Sequence, residues 1–194
     1  MPRPGDRRPL IADSAIDVLA DGGARALTHH AVDRAAGLAA GSTSYYFRTR
    51  DALVAAVIER IREHSRAAFD AALAPEPLTV ATASVFIADQ LHDLVAQRRP
   101  QALAVVALLP VASVDIEVRE QLLDCLFSRE LAHALAAELG VPSPEEVGDD
   151  LVDLLTGRLL GMLFRPRAEG IDGIRSVRDS VARIFESASP TAPH

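Results

Sequence analysis

Apolar residues recur at three- and four-residue spacing along most of this chain, which is the periodicity of helices that bury one face. The clearest stripe begins with Val54, Val57, Ile58 and Ile61 and continues to Ala72. Prolines, glycines and capping residues separate such stretches from one another. We therefore predict an all-α fold of about nine helices.

Local signals place the ends of these helices. Pro9 suits a first helical position, Thr28 and Thr49 suit N-caps, and Ser-Pro-Glu-Glu at residues 143–146 has the form of a capping box. The helices are expected at about residues 9–22, 28–36, 41–47, 49–72, 79–97, 101–109, 115–139, 144–165 and 171–187.

The last two predicted helices have the pattern of a dimer interface. Residues 144–165 are apolar nearly all round, which predicts a buried helix. Two of its glycines, Gly157 and Gly161, lie four residues apart, where another helix can approach. The final helix is apolar on one face. Paired with the same helices of a second subunit, they predict a four-helix interface, the alternative being an ordinary monomer core. The predicted interface residues are Leu151, Leu155, Gly157, Gly161, Val177, Val181 and Ile184.

Composition agrees with helices packed on helices, because 49% of the residues are apolar, 4% are aromatic and none is tryptophan. The formal net charge is -7, but it is unevenly distributed. Residues 1–66 hold ten arginines against eight acidic residues, whereas residues 67–194 hold ten arginines against nineteen acidic residues. The positive excess therefore lies in the first third of the chain.

Several classes of protein are disfavoured. The single cysteine, Cys125, excludes an internal disulfide and has no Cys or His cluster around it, which predicts a cytoplasmic protein without a metal site. Pro110 interrupts the longest apolar stretch, so we expect no membrane-spanning segment. No nucleophile with a nearby base and no metal-ligand spacing stands out, so we predict neither an enzyme nor a bound cofactor.

The densest candidate chemistry lies between residues 37 and 53, Gly-Leu-Ala-Ala-Gly-Ser-Thr-Ser-Tyr-Tyr-Phe-Arg-Thr-Arg-Asp-Ala-Leu. It contains the chain's two tyrosines among hydroxyl residues and arginines. Together with the short helical pattern at 27–36, it has the dimensions of a helix-turn-helix. The side chains that can reach base edges or phosphate oxygens are Ser42, Thr43, Ser44, Tyr45 and Tyr46.

A set of positions in register extends this interpretation: Leu27-Thr28, Ala31-Val32, Ala35-Ala36-Gly37-Leu38, Gly41-Ser42, Tyr45-Tyr46-Phe47, Thr49-Arg50 and Asp51-Ala52-Leu53. They resemble the amino-terminal domain of the tetracycline-repressor (TetR) family of one-component transcription regulators, over roughly residues 8–60. The resemblance implies that Thr28 and Tyr45 contact the DNA backbone and that Arg50 stands where a lysine commonly does so. Ala39 departs from the Ser or Thr that usually starts the recognition helix, which predicts the loss of a cap.

The resemblance also implies a function. We expect a three-helix DNA-binding domain at 1–50, a long helix leading into an effector-binding and dimerisation domain at 51–188, and a tail at 189–194. The hypothesis is a homodimeric regulator, a repressor by family default, that binds a palindromic DNA operator and is released by a small-molecule effector. Phe86, Gln90 and Phe127 are candidate pocket residues. The alternative is a helical dimeric protein-interaction module that has lost DNA binding.

Overall fold

The computed structural model describes residues 6–72, 75–110, 116–165 and 171–188, and it confirms the all-α prediction. The helices of these residues are α1 Arg8–Ala26, α2 His29–Ala35, α3 Ser42–Tyr46, α4 Arg50–Ala71, α5 Val80–Ala96, α6 Arg99–Leu108, α7 Ile116–Asp124, α8 Arg129–Glu138, α9 Pro144–Phe164 and α10 Ile171–Ala188. Within the same ranges, no helix has both the length and the apolar character needed to cross a bilayer.

Two local predictions were wrong. The helix expected at 115–139 is divided into α7 and α8, because the hydroxyl of Ser128 accepts a hydrogen bond from the amide of Leu131 and starts a new helix there. The capping box expected at Ser143 does not form, since this residue has a φ of 50° and its side chain makes no capping bond. The helix nevertheless begins at Pro144, as predicted.

The chain groups into two compact units, one of Met1–Asp70 with Pro100–Cys125 and one of Ala71–Arg99 with Leu126–His194. These units are defined by internal packing. The predicted boundary at residue 50, between a DNA-binding domain and an effector-binding domain, concerns function and stays a prediction.

The first unit buries apolar side chains from α1, α2, α4, α6 and α7. Each such side chain contributes about 1.5–3 kcal/mol when it is fully removed from water. The largest of them are Ile11, Leu19, Val32, Leu53, Ile61, Leu108 and Leu122. The apolar stripe that predicted α4 therefore forms part of a real core.

In the second unit, α10 packs against α5 and α9, and α8 packs closely against α9. Fully buried Phe185 of α10 and Leu159 of α9 belong to this core. The approach of α8 to α9 is closest at Gly148, where an added Cβ would lie 2.9 Å from the amide nitrogen of His133 and 3.0 Å from the carbonyl carbon of Ala132. A side chain at this position has no room.

Replacing Gly148 by alanine is therefore expected to lower the free energy of unfolding by about 1–3 kcal/mol, the usual cost of overpacking a core. Urea denaturation followed by circular dichroism measures this change. The destabilisation should persist in a His133→Ala background, because the obstruction is the backbone of α8 as well as the imidazole. Full rescue by His133→Ala would contradict the backbone explanation.

Candidate DNA interface

The segment with the predicted helix-turn-helix consists of α2, a turn and α3. The hydroxyl of Thr28 accepts a hydrogen bond of 3.1 Å from the amide of Ala31, which confirms Thr28 as the N-cap of α2. The turn ends at Gly41, whose φ of 89° lies in the left-handed region that favours glycine. Because Gly41 is the N-cap of α3 and has no side chain, α3 has no cap of its own.

The cap of α3 comes instead from Asp33 on α2. One carboxylate oxygen of Asp33 accepts hydrogen bonds from the amide and the hydroxyl of Thr43, at 2.7 and 2.6 Å. The other oxygen accepts a bond of 2.8 Å from the amide of Gly41. Asp33 is 3% exposed, so these bonds form largely out of water, where charge-assisted hydrogen bonds are strongest. They hold the start of α3 against α2.

Asp33 remains a carboxylate despite its burial. Burial by itself raises the pKa of Asp33, but the hydrogen bonds from Thr43 and Gly41 outweigh this effect, and His30 adds a smaller electrostatic contribution. The net result is a pKa below the ordinary value for aspartate. The Asp33 carboxylate, which clamps the start of α3 to α2, is therefore ionised at neutral pH.

The outer face of α3 is formed by side chains that the clamp leaves accessible. Tyr45 is 79% exposed, and Ser44 beside it is also exposed. The rings of Tyr45 and Tyr46 meet edge to face with centroids 5.1 Å apart, and the guanidinium carbon of Arg8 lies 5.5 Å from the centroid of Tyr46. The start of α1 thus lies beside the end of α3.

The other predicted DNA contacts have different surroundings. Thr43 is fully buried by its bonds to Asp33, so its side chain does not reach DNA in this conformation. The hydroxyl of Ser42 donates to the carbonyl of Ala39 at 2.6 Å. A guanidinium nitrogen of Arg50 donates to the carbonyl of Ala24 at 2.9 Å and ties the start of α4 to α1.

Sequence reasoning missed the hydrogen bonds that two residues of this site form. Asp33 bonds to residues eight and ten positions away, and the ring Nε2 of His29 donates to the carbonyl of Phe47 at 2.7 Å across eighteen positions. Neither bond follows a helical spacing. No local pattern could have revealed them.

The part of the chain that contains α2, the turn and α3 matches a known protein family. The family described as "Bacterial regulatory proteins, tetR family" matches residues 11–57, which contain the α2–turn–α3 segment and its clamp. Residues 11–57 are thus similar to the DNA-binding domain of the TetR family. Regulation of transcription and DNA binding are properties of that family.

Solved structures support the TetR fold over nearly the whole chain. A TetR-family member from Streptomyces coelicolor is 25% identical, with a TM-score of 0.74 over 92% of this chain and 98% of that one. A transcriptional regulator from Rhodococcus is 18% identical, with a TM-score of 0.78 over 97% of this chain and 100% of that one. The multidrug binding protein EbrR, complexed with imidazole, is 24% identical, with a TM-score of 0.66 over 97% of each chain. A comparison with curated protein sequences found no match.

The predicted dimer-interface residues differ in how far they are buried within the single chain. Leu151 and Leu155 of α9, with Val177 and Val181 of α10, lie in the chain's own core, which leaves little of their surface for a second subunit. The predicted α10 residue Ile184 is half-buried and lines a small cavity within its own unit. The two glycines of the predicted interface, Gly157 and Gly161, instead have open space around them within the described part of the chain.

Among the residues that the structure describes, an added Cβ at Gly157 or Gly161 would meet nothing within 4 Å. Leu160 is 39% exposed and Phe164 is 60% exposed on the same helix. These four residues form an uncovered apolar stripe, here called the α9 stripe.

The predicted effector residues Phe86, Gln90 and Phe127 are each half-buried in the second unit. None of them lines the cavity of about 570 Å³ that lies beside α4 in the first unit. Their assignment to an effector pocket stays a prediction.

Proposed function

We propose that this TetR-family regulator is a homodimeric repressor that binds a palindromic operator and is released by a small-molecule effector. The observation that carries the proposal is the position of α3. The ionised clamp of Asp33 holds the helix rigidly, and the 79% exposed Tyr45 stands on its outer face. A short rigid helix with an accessible phenol and hydroxyl suits insertion into a major groove.

The proposed contacts are those of Ser44 and Tyr45 on α3 and of Thr28 at the start of α2, all of which are exposed. The phenol of Tyr45 donates to a phosphate oxygen, and the hydroxyl of Ser44 reaches a base edge or a phosphate. Arg34 on α2 and Arg48, just after α3 in the sequence, are exposed and add positive charge. Thr43 is left out of this set because Asp33 buries it.

Dimerisation is supported by the α9 stripe. Large apolar side chains that lie together on an exposed helix commonly mark an interface, and the two glycines of the stripe allow a second helix to approach. A twofold dimer places two α3 helices in successive major grooves, about 34–36 Å apart, over a palindromic operator. The interface proposed here thus uses Gly157, Leu160, Gly161 and Phe164.

Effector control is supported by the similar structures and by the links of α4. EbrR has been crystallised with malachite green, ethidium and proflavin. In this chain, Arg60 of α4 forms hydrogen bonds of 2.7 and 2.8 Å with both carboxylate oxygens of Asp13 on α1, and this pairing raises the pKa of Arg60. Because Arg50 and Arg60 tie α4 to α1, displacement of α4 must move the helices that contact DNA. By linkage, the effector must bind the displaced form more tightly.

The test is the response of operator binding to changes at Tyr45. Tyr45→Phe should weaken binding about tenfold, the effect of one lost phosphate hydrogen bond, and Tyr45→Ala should weaken it further. Fluorescence anisotropy with DNA from upstream of the protein's own gene measures the affinity. His92→Ala is the matched control, because His92 is an exposed residue of α5, and it should leave affinity unchanged.

Specific binding should also fall steeply with added salt, because each neutralised phosphate releases counterions. Unchanged affinity in Tyr45→Ala would refute the contact. Failure of the wild-type chain to bind any specific DNA would favour a protein-interaction module instead.

A further inference from the structure

Two arginines converge on one buried hydroxyl where α9 and α10 pack together in the second unit. Ser180 of α10 is 6% exposed, and its hydroxyl accepts hydrogen bonds of 2.8 Å from Arg158 of α9 and of 3.0 Å from Arg183 of α10. The same hydroxyl donates to the carbonyl of Ser176 at 2.8 Å, which uses up its hydrogen-bonding capacity. Arg158, Ser180 and Arg183 are here called the arginine cluster.

The arginine cluster carries two positive charges and no negative one. Among the described residues, neither Arg158 nor Arg183 forms an ion pair, and the hydroxyl that both of them bind is neutral. Because both guanidinium groups bind the same oxygen atom, they lie close together and repel each other, and Arg158 is half-buried, which reduces screening by water. A carboxylate beside the two groups relieves this repulsion and accepts charge-assisted hydrogen bonds from them. The cluster therefore has the chemistry of a carboxylate site.

A carboxylate of the complementary charge lies on α9 itself. Asp153 is exposed and forms no ion pair within the described ranges of the chain. It lies five positions before Arg158, a spacing that does not place two side chains side by side on one helix. It lies four positions before Gly157, so it shares a helix face with the α9 stripe. Asp153 is therefore directed to the surface that the proposed dimer covers.

A twofold axis turns the spacing of Asp153 and Arg158 into two ion pairs. In an interface of this symmetry every contact occurs twice, so Asp153 meets the partner's Arg158 while Arg158 meets the partner's Asp153. The axis then passes α9 midway between the two positions, and each lies roughly 4 Å from it along the helix at 1.5 Å per residue. The midpoint is next to Gly157, whose missing side chain lets a second helix approach.

We propose that the arginine cluster binds Asp153 of a second copy of this chain, and that the two symmetric pairs fix the register of the dimer and make it selective for its own kind. The inference rests on the homodimer of the proposed function and adds a charged contact to the apolar α9 stripe. Apolar surfaces alone discriminate poorly between partners. Charge pairs exclude any related chain that places a like charge at either position.

Charge reversal at either position tests the pairing. Arg158→Glu and Asp153→Arg each remove both pairs of the dimer, and each should raise the dissociation constant of the dimer at least about tenfold. Sedimentation velocity of the full chain over a range of concentrations measures this constant. Arg66→Glu and Asp89→Arg reverse charges at exposed positions of α4 and α5, and these matched controls should leave it unchanged.

The two single variants should recover dimerisation when they are mixed. Each variant alone brings like charges together at both pairs, whereas a mixed dimer has opposite charges at both. Equimolar mixing should recover at least about fivefold of the lost affinity, and the double variant Asp153→Arg/Arg158→Glu should do the same by itself. Damage to the fold of the monomer cannot produce this recovery, so the mixture separates a contact between subunits from a structural role within one.

Dimers that ignore both single reversals, or variants that do not recover on mixing, overturn the pairing and leave the homodimer of the proposed function in place. Calorimetric binding of inorganic phosphate to the wild-type dimer that is lost in Arg158→Glu would overturn it too, because the cluster would then hold a free anion. A monomeric wild-type chain overturns both the pairing and the homodimer. Dimers that show the expected recovery but bind no specific operator confirm the pairing and count against the proposed function alone.

Discussion

Replacing Asp33 by alanine is expected to abolish specific operator binding and to lower the free energy of unfolding by about 2–4 kcal/mol. The carboxylate accepts three hydrogen bonds, from the amides of Gly41 and Thr43 and from the hydroxyl of Thr43. Thr43 is fully buried, so its amide and hydroxyl would be left without partners away from water. The start of α3 would then lose its only cap from a side chain among the described residues.

Asp33→Asn removes the charge of the side chain and keeps nearly the same shape. One side-chain oxygen still accepts the bonds of Thr43, but the new NH₂ group faces the amide of Gly41 and cannot accept from it. We expect an intermediate loss of stability and of operator affinity. Asp89→Ala, on the exposed face of α5, is the control and should change neither. Full operator affinity in Asp33→Ala would show that α3 does not depend on the clamp.

The same residue predicts a dependence on pH. The folded pKa of Asp33 lies below its unfolded value of about 3.9, so the folded state binds fewer protons in this range. Its contribution to stability is therefore complete above the unfolded pKa and is lost as pH falls through the folded pKa. Urea titrations between neutral and acidic pH should show this loss in the wild-type chain. Asp33→Asn should show a smaller one.

Replacing Phe164 by glutamate is expected to convert the proposed dimer into a monomer of 20.7 kDa and to weaken operator binding at least about 100-fold. Phe164 is 60% exposed in the single chain, so a charge there costs the monomer fold little. In the proposed interface the same charge would be buried without a partner, which is strongly unfavourable. Binding weakens because two half-sites are no longer engaged by one linked molecule.

Light scattering at several protein concentrations measures the mass, and anisotropy measures the affinity. Val85→Glu is the matched control, because Val85 is a 43% exposed apolar residue on α5 and does not belong to the α9 stripe. It should leave both mass and affinity unchanged. A wild-type chain that is monomeric at micromolar concentration would remove the dimer from the proposed function.

The sequence alone predicted the helical fold because the signals for helices are local. The spacing of Val54, Val57, Ile58 and Ile61 revealed the buried face of α4, and all four are wholly or partly buried. The cap at Thr28 was predicted from residues within one helical turn and is confirmed. The single helix expected at 115–139 was wrong, because Ser128 caps the start of a second helix within that range.

The position of the candidate DNA site could be predicted, but not which of its residues are exposed and which are buried. Hydroxyl and aromatic residues in register identified residues 42–46, but Thr43 and Tyr45 looked equivalent in the sequence. The structure separates them, since Thr43 is buried on Asp33 and Tyr45 is 79% exposed. The N-cap of α3 is Gly41, not Ala39, and the side-chain cap comes from Asp33 of α2, which only a contact between distant residues could supply.

The amino-acid sequence by itself determined the helices, the location of the DNA-binding segment and which faces are apolar, because each depends on residues close together along the chain. Only the tertiary structure decided which partner each apolar face meets. Leu151 and Leu155 of α9 meet their own chain, while Leu160 and Phe164 remain uncovered. Periodicity shows that a helix face is apolar, but the burial of that face depends on neighbours that are distant in sequence.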